Sequence, residues 1–343
     1  MATEPLAALE LKMKAAALRG QWQADPNRPQ NLTRAEDGSI RVQPMPGGDA
    51  HVWRWSDIAP LLDEACDAMP DSHTARRALI LSNPGLPRGT THTLLASLQI
   101  VQPGEIAWAH RHVINALRFS IQGSDQVFTV VDGRRLAMEP FDLVLTPGWT
   151  WHDHHNESAS RAVWLDALDV PITLALNQQF YEELGRASQE PASGDLQPAL
   201  FADADREPER QRPYRYPWRD MRRRVDVLDA FDPCFGGRIN YIDPTTGGPI
   251  LPTISAFVQV LPPGFEGTFH RSTESQIAFV IEGEGEVDCD GARVSWREMD
   301  SLALPNWQRR RFVNRSRQNR AILFVLSDRP ILDALGFFRS ERG

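Results

Sequence analysis

Two histidines two residues apart, His110 and His112, stand in the stretch HRHVINALRF (110–119). Alternate residues of a β-strand point to the same face, so both imidazoles would project together while Arg111 points away. Arg118 follows at an even spacing and can face the same side if the strand continues without a bulge. A third histidine, His152, follows in TPGWTWHDHHN (146–156). Three neutral imidazoles that converge inside a barrel suit a divalent first-row metal and leave three octahedral positions open.

Strands must position these side chains. Short apolar runs separated by Gly, Pro and Asp-Gly begin near Arg77 and predict a β-sandwich or a small barrel. Helical composition predicts helices over 5–20, 56–69 and 172–184. The polar, proline-bearing stretch over 185–213 predicts a connection between two domains.

The chain also repeats itself. LQIVQPGEIAWAHRHVINALRFSIQGS (98–124) aligns with VQVLPPGFEGTFHRSTESQIAFVIEGE (258–284) at a constant offset of 160 residues. Residues 132–149 align with 290–307 at an offset of 158. Because the apolar and turn positions coincide in both copies, we predict two similar β-domains, a duplicated barrel.

The two copies differ in their chemistry. His110 aligns with His270, but His112 aligns with Ser272, His152 with Arg310 and Arg118 with Ala278. The scaffold positions are therefore kept in both copies, whereas the histidine set is complete only in the first. We predict a metal site in the first barrel alone.

Composition excludes several classes of protein. The formal net charge of −8 over 343 residues argues against a general nucleic-acid binder, which needs surplus Lys and Arg. Three widely spaced cysteines fit a reducing compartment better than a disulfide scaffold. We find no signal peptide and no apolar run of membrane-spanning length, and expect a cytoplasmic protein without nucleic-acid or membrane partners.

At these residues the sequence resembles the cupin superfamily. The first cupin motif, a glycine followed after five residues by HxH, is matched by Gly104, His110 and His112. The second is matched by Pro147, His152 and Asn156. Phe141 stands where the second motif usually has glycine, and the glutamate that many cupins use as a fourth ligand is missing.

More narrowly, the chain is similar to the bicupin ring-cleaving dioxygenases of the gentisate 1,2-dioxygenase family, which includes salicylate dioxygenases. The stretches that carry the likeness lie between about residues 75 and 172: RRALILSNPGL, TLLASLQIVQPGE, HRHVINALRF, LTPGWTWHDHHN and WLDALDVP. The resemblance implies a mainly β bicupin of two double-stranded β-helix (jelly-roll) barrels with N-terminal and connecting helices. It also implies four segments: 1–74 N-terminal helices, 75–185 metal-bearing cupin, 186–245 connection and 246–343 degenerate cupin.

The resemblance further implies one Fe(II) per chain, held by His110, His112 and His152, with O2 as co-substrate. The carboxylate and ortho-hydroxyl of a salicylate-type aromatic acid would bind the iron, and the ring would open between the carbons that carry them. By the same resemblance, His154 and Arg118 are catalytic. The substrate-binding residues are Arg76, Gln99, Arg118, Asp166 and Leu95.

Gentisate is the first expectation for the substrate. Leu95 stands where these enzymes often have an aromatic residue, and Ser97 where glycine is common. These departures keep 5-substituted salicylates such as 5-nitrosalicylate, salicylate itself and 1-hydroxy-2-naphthoate as alternatives. An isomerase or decarboxylase with Mn or Zn, or a non-catalytic bicupin, are alternatives of other classes. The family likeness also implies a homotetramer.

Overall fold

The structure is a computed structural model that describes residues 4–20, 32–34, 37–69, 77–190 and 214–343. The chain forms two compact units, Met1–Met45 and Pro46–Gly343. The smaller unit contains helix α1 (Glu4–Ala15) and the antiparallel pair β1 (Leu32–Arg34) and β2 (Ile40–Val42). Among the described residues, no helix combines the length and the apolar character needed to cross a membrane.

The first half of the larger unit consists of β3 (His51–Trp53), α2 (Trp55–Ala68), β4 (Arg77–Ile80), β5 (Leu95–Val101), β6 (Ile106–His112), β7 (Ala116–Gln122), β8 (Ser124–Val131), β9 (Arg134–Met138), β10 (Leu143–Thr146), β11 (His152–Asn156), β12 (Ala162–Leu168), α3 (Val170–Ala175) and β13 (Tyr181–Glu183). The second half consists of β14 (Arg215–Tyr216), α4 (Trp218–Asp226), β15 (Gly237–Asn240), β16 (Ser255–Leu261), β17 (His270–Ser272), β18 (Gln276–Glu282), β19 (Glu284–Cys289), β20 (Ala292–Arg297), β21 (Ser301–Leu304), β22 (Arg310–Val313), β23 (Ala321–Ser327), α5 (Arg329–Ala334) and β24 (Ser340–Arg342).

These strands form two barrels of the same topology. In the first barrel, a large sheet has the order β4-β5-β12-β7-β10-β14 and a small sheet the order β9-β8-β11-β6-β13. In the second barrel, the large sheet has the order β15-β16-β23-β18-β21-β3 and the small sheet β20-β19-β22-β17-β24. Each strand therefore has a counterpart in the other copy, and the predicted mainly β bicupin fold is confirmed.

One edge of each large sheet is completed by a strand from outside the repeated sequence. β3, which precedes both barrels, pairs with β21 of the second barrel, and β14 pairs with β10 of the first. Both additions are antiparallel, and both cover an edge that would otherwise expose its backbone hydrogen-bonding groups. The predicted N-terminal and connecting segments thus each supply a strand to a barrel.

The two large sheets share one apolar core. On β7, Leu117 and Phe119 point into this core, and the Phe119 ring stacks on Phe324 of the second barrel with centroids 3.9 Å apart. Side chains alternate along a strand, so Arg118 between them faces the interior of the first barrel. The shared core therefore determines which residues line that interior.

The predicted helix over 172–184 is wrong in its second half. Helix α3 ends at Ala175, and Asn177 adopts a left-handed backbone with φ of 54°. Residues 181–183 form β13, which pairs with β6 in the small sheet. Pairing with an open sheet edge has overridden the local helical composition. Most of the predicted connection over 185–213 lies outside the described residues.

Candidate metal centre

The three predicted metal ligands lie together on two neighbouring strands of the small sheet. His110 and His112 stand at the end of β6, and His152 begins β11, where it pairs directly with His110. The ring centroids are 4.2 Å apart for His110 and His152, 4.8 Å for His112 and His152, and 5.6 Å for His110 and His112. One ring nitrogen from each residue lies within 4.8 Å of the others, and all three side chains are buried.

Backbone carbonyls fix the orientation of all three rings. Each Nδ1 lies 2.8–3.0 Å from a carbonyl oxygen two residues away, namely that of Trp108 for His110, Ile114 for His112 and Thr150 for His152. A carbonyl can only accept, so each Nδ1 carries the proton and each Nε2 presents a lone pair. The Nε2 atom of His152 is buried and has no hydrogen-bond partner among the described residues.

This donor set fits a metal ion. Burial, together with the electrostatic influence of His110, Arg118 and His112, holds the pKa of His152 well below its usual value, so the ring stays neutral. A buried lone pair without a donor is costly unless a cation occupies the centre. No carboxylate belongs to the cluster among the described residues, so three neutral ligands would leave the charge of a divalent ion uncompensated.

The turn that carries His152 is held by the backbone of the other histidine strand. Trp149 has a left-handed backbone with φ of 67°, and its N–H donates to the carbonyl oxygen of His112 over 2.6 Å. The second copy repeats this turn at Trp307, whose N–H donates to Ser272 over the same distance. Because both copies contain it, the turn belongs to the scaffold, and only the residues it presents differ.

Arg118 reaches the site by a different route from the one predicted. β6 ends at His112 and the chain turns before β7, so Arg118 faces the histidines from the opposite, large sheet. Its Nη1 donates to Thr146 Oγ1 over 2.6 Å, and its Nε lies 3.7 Å from Asp166 Oδ1. Arg118 is only 2% exposed, so the guanidinium is a fixed positive group of the barrel interior.

The other predicted substrate residues lie on the large sheet or outside the described residues. Asp166 on β12 is in register with Arg118, and burial raises the pKa of its carboxyl although Arg118 opposes this effect. Gln99 and Leu95 lie on β5, where Gln99 is buried and Leu95 partly exposed. The neighbours of these residues in sequence, such as Leu98, belong to the shared core, so their own side chains face the barrel interior.

Arg76 falls outside the described residues. Its neighbour Arg77 is 2% exposed and makes two hydrogen bonds of 2.7 Å to the carboxylate of Glu105. This bidentate pair joins β4 to the turn before β6. Arg77 therefore has a structural partner.

His154 is buried behind the metal ligands. Its Nδ1 lies 2.7 Å from Thr129 Oγ1, and the ring centroid lies 5.8 Å from that of His152. Thr129 also contacts Met138 Sδ at 3.2 Å. A histidine next to a metal ligand, fixed by a hydroxyl, can hold or move a proton.

Two polar residues of this interior, Thr146 and Thr129, are missing from the sequence predictions. A full comparison of the copies could have found them, because the second barrel has an apolar residue in the place of each, as it has for three of the predicted polar residues. Its replacements are Ala278 for Arg118, Leu304 for Thr146, Val325 for Asp166, Phe312 for His154 and Val287 for Thr129. All five replacements are buried, and all belong to one apolar core cluster.

The second barrel also lacks the ligand set. Arg310, fully buried, stands in the place of His152 and pairs with His270 across β17 and β22. Burial and the nearby guanidinium lower the pKa of His270 to about 3. A fixed positive charge beside a single neutral imidazole opposes binding of a metal cation.

Comparison with known proteins agrees with this geometry. The Cupin domain family model matches residues 97–168 and 257–326, one match in each barrel. The chain is 41% identical to a 1-hydroxy-2-naphthoate 1,2-dioxygenase from Nocardioides sp. (strain KP7) over 347 residues, covering 98% of this chain and 87% of that protein. It is 36% identical to a 5-aminosalicylate 1,2-dioxygenase from Comamonas sp over 318 residues, covering 88% and 84%.

Solved structures give the same result. A salicylate 1,2-dioxygenase from Pseudoaminobacter salicylatoxidans, in a structure described as adducts with gentisate, matches with a TM-score of 0.84 at 28% identity. The match covers 100% of this chain and 95% of that one. The chain is therefore an enzyme of the bicupin ring-cleaving dioxygenase family, which includes the gentisate and salicylate 1,2-dioxygenases.

Proposed function

We propose that this enzyme is an Fe(II)-dependent dioxygenase that opens the ring of a salicylate-type acid between the carboxyl- and hydroxyl-bearing carbons, with O2 as co-substrate. The observation that supports it most directly is the convergence of three neutral imidazoles opposite a buried arginine. When bound by His110, His112 and His152, one Fe(II) per chain would bind the substrate through its carboxylate and hydroxyl and activate O2.

The chain's own residues have distinct tasks in this proposal. Arg118 binds and orients the carboxylate, for which a planar guanidinium is well suited. His154 exchanges a proton with the substrate through Nε2, because Thr129 engages Nδ1. Asp166 and Gln99 line the same interior face and orient these groups. The buried barrel keeps bulk water from the reacting atoms.

The proposed substrate is 1-hydroxy-2-naphthoate. The relative with that activity shares 41% of its residues over nearly the whole chain, compared with 34% for a gentisate 1,2-dioxygenase from Aquipseudomonas alcaligenes. Leu95 adds an apolar side chain to the interior face, next to the small Ser97, and this suits a fused hydrocarbon ring. The 5-hydroxyl of gentisate would instead require a polar partner at its own position.

Gentisate remains the second candidate. Several relatives between 28% and 34% identical are named gentisate 1,2-dioxygenases, and the salicylate 1,2-dioxygenase of the same fold has been solved with gentisate. It is also the first expectation from sequence alone.

Oxygen uptake tests both candidates together. The protein is loaded anaerobically with Fe(II), and consumption of O2 is followed with 1-hydroxy-2-naphthoate, gentisate, salicylate and 5-aminosalicylate. We expect the highest kcat/KM with the naphthoate and a ring-opened product containing both oxygen atoms. A higher value with gentisate would reverse the order of the candidates. Absence of uptake with every acid, despite one bound iron per chain, would contradict the proposed reaction.

The homotetramer, the cytoplasmic location and the absence of nucleic-acid partners stay predictions. The first can be measured by light scattering on the purified protein. A tetramer would appear at about four times the chain mass of 38.6 kDa.

A further inference from the structure

We propose that Thr146 is a positioning residue that aims the Arg118 guanidinium at the substrate carboxylate. This inference rests on the proposed function, because it requires an acid that Arg118 binds. Thr146 is not among the predicted site residues, and its hydroxyl bonds to Arg118 and Ala116, neither of which is a metal ligand.

The Thr146 hydroxyl donates one hydrogen bond and accepts another. Thr146 is fully buried at the end of β10. Its hydroxyl donates to the carbonyl oxygen of Ala116 over 3.2 Å and accepts from Arg118 Nη1 over 2.6 Å. Because the hydroxyl proton is committed to the carbonyl, a lone pair is directed at the guanidinium. The carbonyl and the arginine lie on the same strand, so the hydroxyl ties the side chain to its own backbone through the neighbouring strand.

Arg118 needs such a contact. Its side chain has several rotatable bonds, and a guanidinium binds a carboxylate well only when its fork is correctly oriented. The carboxylate of Asp166 also lies near Arg118, but its Oδ1 is 3.7 Å from Nε, beyond hydrogen-bond distance. The 2.6 Å bond to Thr146 is therefore the shorter of these two constraints.

The internal duplication provides an independent argument. The second barrel has the same strands in the same register, with Ala278 in the place of Arg118 and Leu304 in the place of Thr146. A hydroxyl needed to stabilise the end of β10 would be needed equally at the end of β21. Its loss together with the arginine indicates that the hydroxyl serves the arginine and not the barrel.

Two variants separate the hydroxyl from the shape of the side chain. Thr146→Val keeps the branched shape without the hydroxyl, and Thr146→Ser keeps the hydroxyl. Binding to the Fe(II)-loaded, anaerobic protein is measured by calorimetry with two ligands, 1-hydroxy-2-naphthoate and catechol. Catechol can chelate through two hydroxyls but has no carboxylate for Arg118. Iron content and thermal unfolding are recorded for each variant.

We expect Thr146→Val to weaken binding of the naphthoate about tenfold or more, the typical effect of losing a hydrogen bond to a charged group. Thr146→Ser should stay within about threefold of the unmodified protein, and catechol should bind all three proteins alike. Unchanged naphthoate binding by Thr146→Val would overturn the inference and leave the proposed function standing. Equal weakening of both ligands would also overturn it, since it would indicate a general distortion of the site.

Failure of the proposed function gives a different result. In that case the unmodified, iron-loaded protein would bind neither the naphthoate nor gentisate. The inference would then fall with it, because no carboxylate would reach Arg118.

Discussion

Single residues distinguish the two barrels more sharply than any element does. His112 and Ser272 occupy equivalent positions at the ends of β6 and β17, and both are buried. The imidazole at this position completes a set of three ligands in the first barrel, whereas the hydroxyl leaves His270 as the single histidine of its set. This difference allows a matched test of where the metal binds.

We expect His112→Ala to lose its iron and its activity while keeping the fold. Two imidazoles with no carboxylate hold a first-row divalent ion much more weakly than three. The matched variant His270→Ala should retain about one iron per chain, because His270 belongs to the barrel without the ligand set. Iron is measured by mass spectrometry and the fold by circular dichroism. Iron retained by His112→Ala, or lost from His270→Ala, would contradict the assignment to the first barrel.

Leu95 offers a second test at this scale, on substrate choice. If its partly exposed side chain lines the wall against the second ring of the naphthoate, Leu95→Trp should fill the space for that ring. We expect kcat/KM for 1-hydroxy-2-naphthoate to fall at least about tenfold, while salicylate, with one ring, loses much less. Leu95→Met, which has a similar volume, is the control and should change both values little. Equal losses for both acids would place Leu95 away from the second ring.

Several turns of the two copies share a left-handed residue at the same position. Phe141 and Met299 occupy the same position and have φ of 66° and 72°. This backbone region favours glycine, the residue that the cupin motif usually has here. Phe141 in its place therefore carries an energetic cost. The Phe141 ring offsets that cost by packing against Phe119 and Trp218 at centroid distances of 5.9 Å.

The strain predicts an unusual order of stability at this position. Phe141→Ala loses the ring packing and keeps the left-handed backbone, whereas Phe141→Gly loses the packing and relieves the strain. Both variants should be less stable than the unmodified protein, but the free energy of unfolding should be about 1 kcal/mol higher for the glycine variant than for the alanine variant. Urea unfolding measures the difference, and the same order is expected for Met299→Gly and Met299→Ala. If the alanine variant is more stable than the glycine variant at either site, the left-handed backbone carries no energetic cost there.

At the scale of elements, periodicity and turn residues were enough to predict the two barrels and their equivalence. They could not predict the edge strands. β13 and β14 are two or three residues long, too short for a periodic pattern, and they exist because an open sheet edge accepts them. The position of Arg118 was likewise not predictable, because the sequence does not show that β6 ends at His112.

At the largest scale, reciprocal contacts join the two barrels of the larger unit. Thr93, which precedes β5, donates to Asp328 Oδ2 at the start of α5 over 2.6 Å. Thr253, which precedes β16, donates to Asp169 Oδ2 at the start of α3 over the same distance. Thr93 and Thr253 are 160 residues apart, the offset of the sequence repeat. The repeat predicted two similar domains. Only the structure shows that a threonine of each donates a hydrogen bond to the aspartate at the start of a helix in the other.

The position of Asp328 between the barrels changes its ionisation. Asp328 is fully buried, and burial, with a smaller effect of Glu274, raises its pKa to about 7 although hydrogen bonds from Thr93 and Ser275 oppose the shift. In the unfolded chain its pKa returns to about 3.8. Between these two values the folded protein holds a proton that the unfolded chain releases.

This difference fixes the sign of a pH effect on stability. Since the folded state binds more protons at Asp328 between about pH 4 and pH 7, the contribution of Asp328 to the free energy of unfolding falls as the pH rises through that range and levels off above it. Asp328→Asn mimics the protonated acid, because its amide can accept from the Ser275 N–H and donate to Thr93. The variant should therefore gain stability relative to the unmodified protein as the pH rises from 5 to 7, by about 1.4 kcal/mol per pH unit at most. Urea unfolding at several pH values measures the difference in free energy of unfolding between the two proteins. A difference that does not change with pH would show that Asp328 is ionised across the whole range. Its two hydrogen bonds would then outweigh the effect of its burial between the barrels.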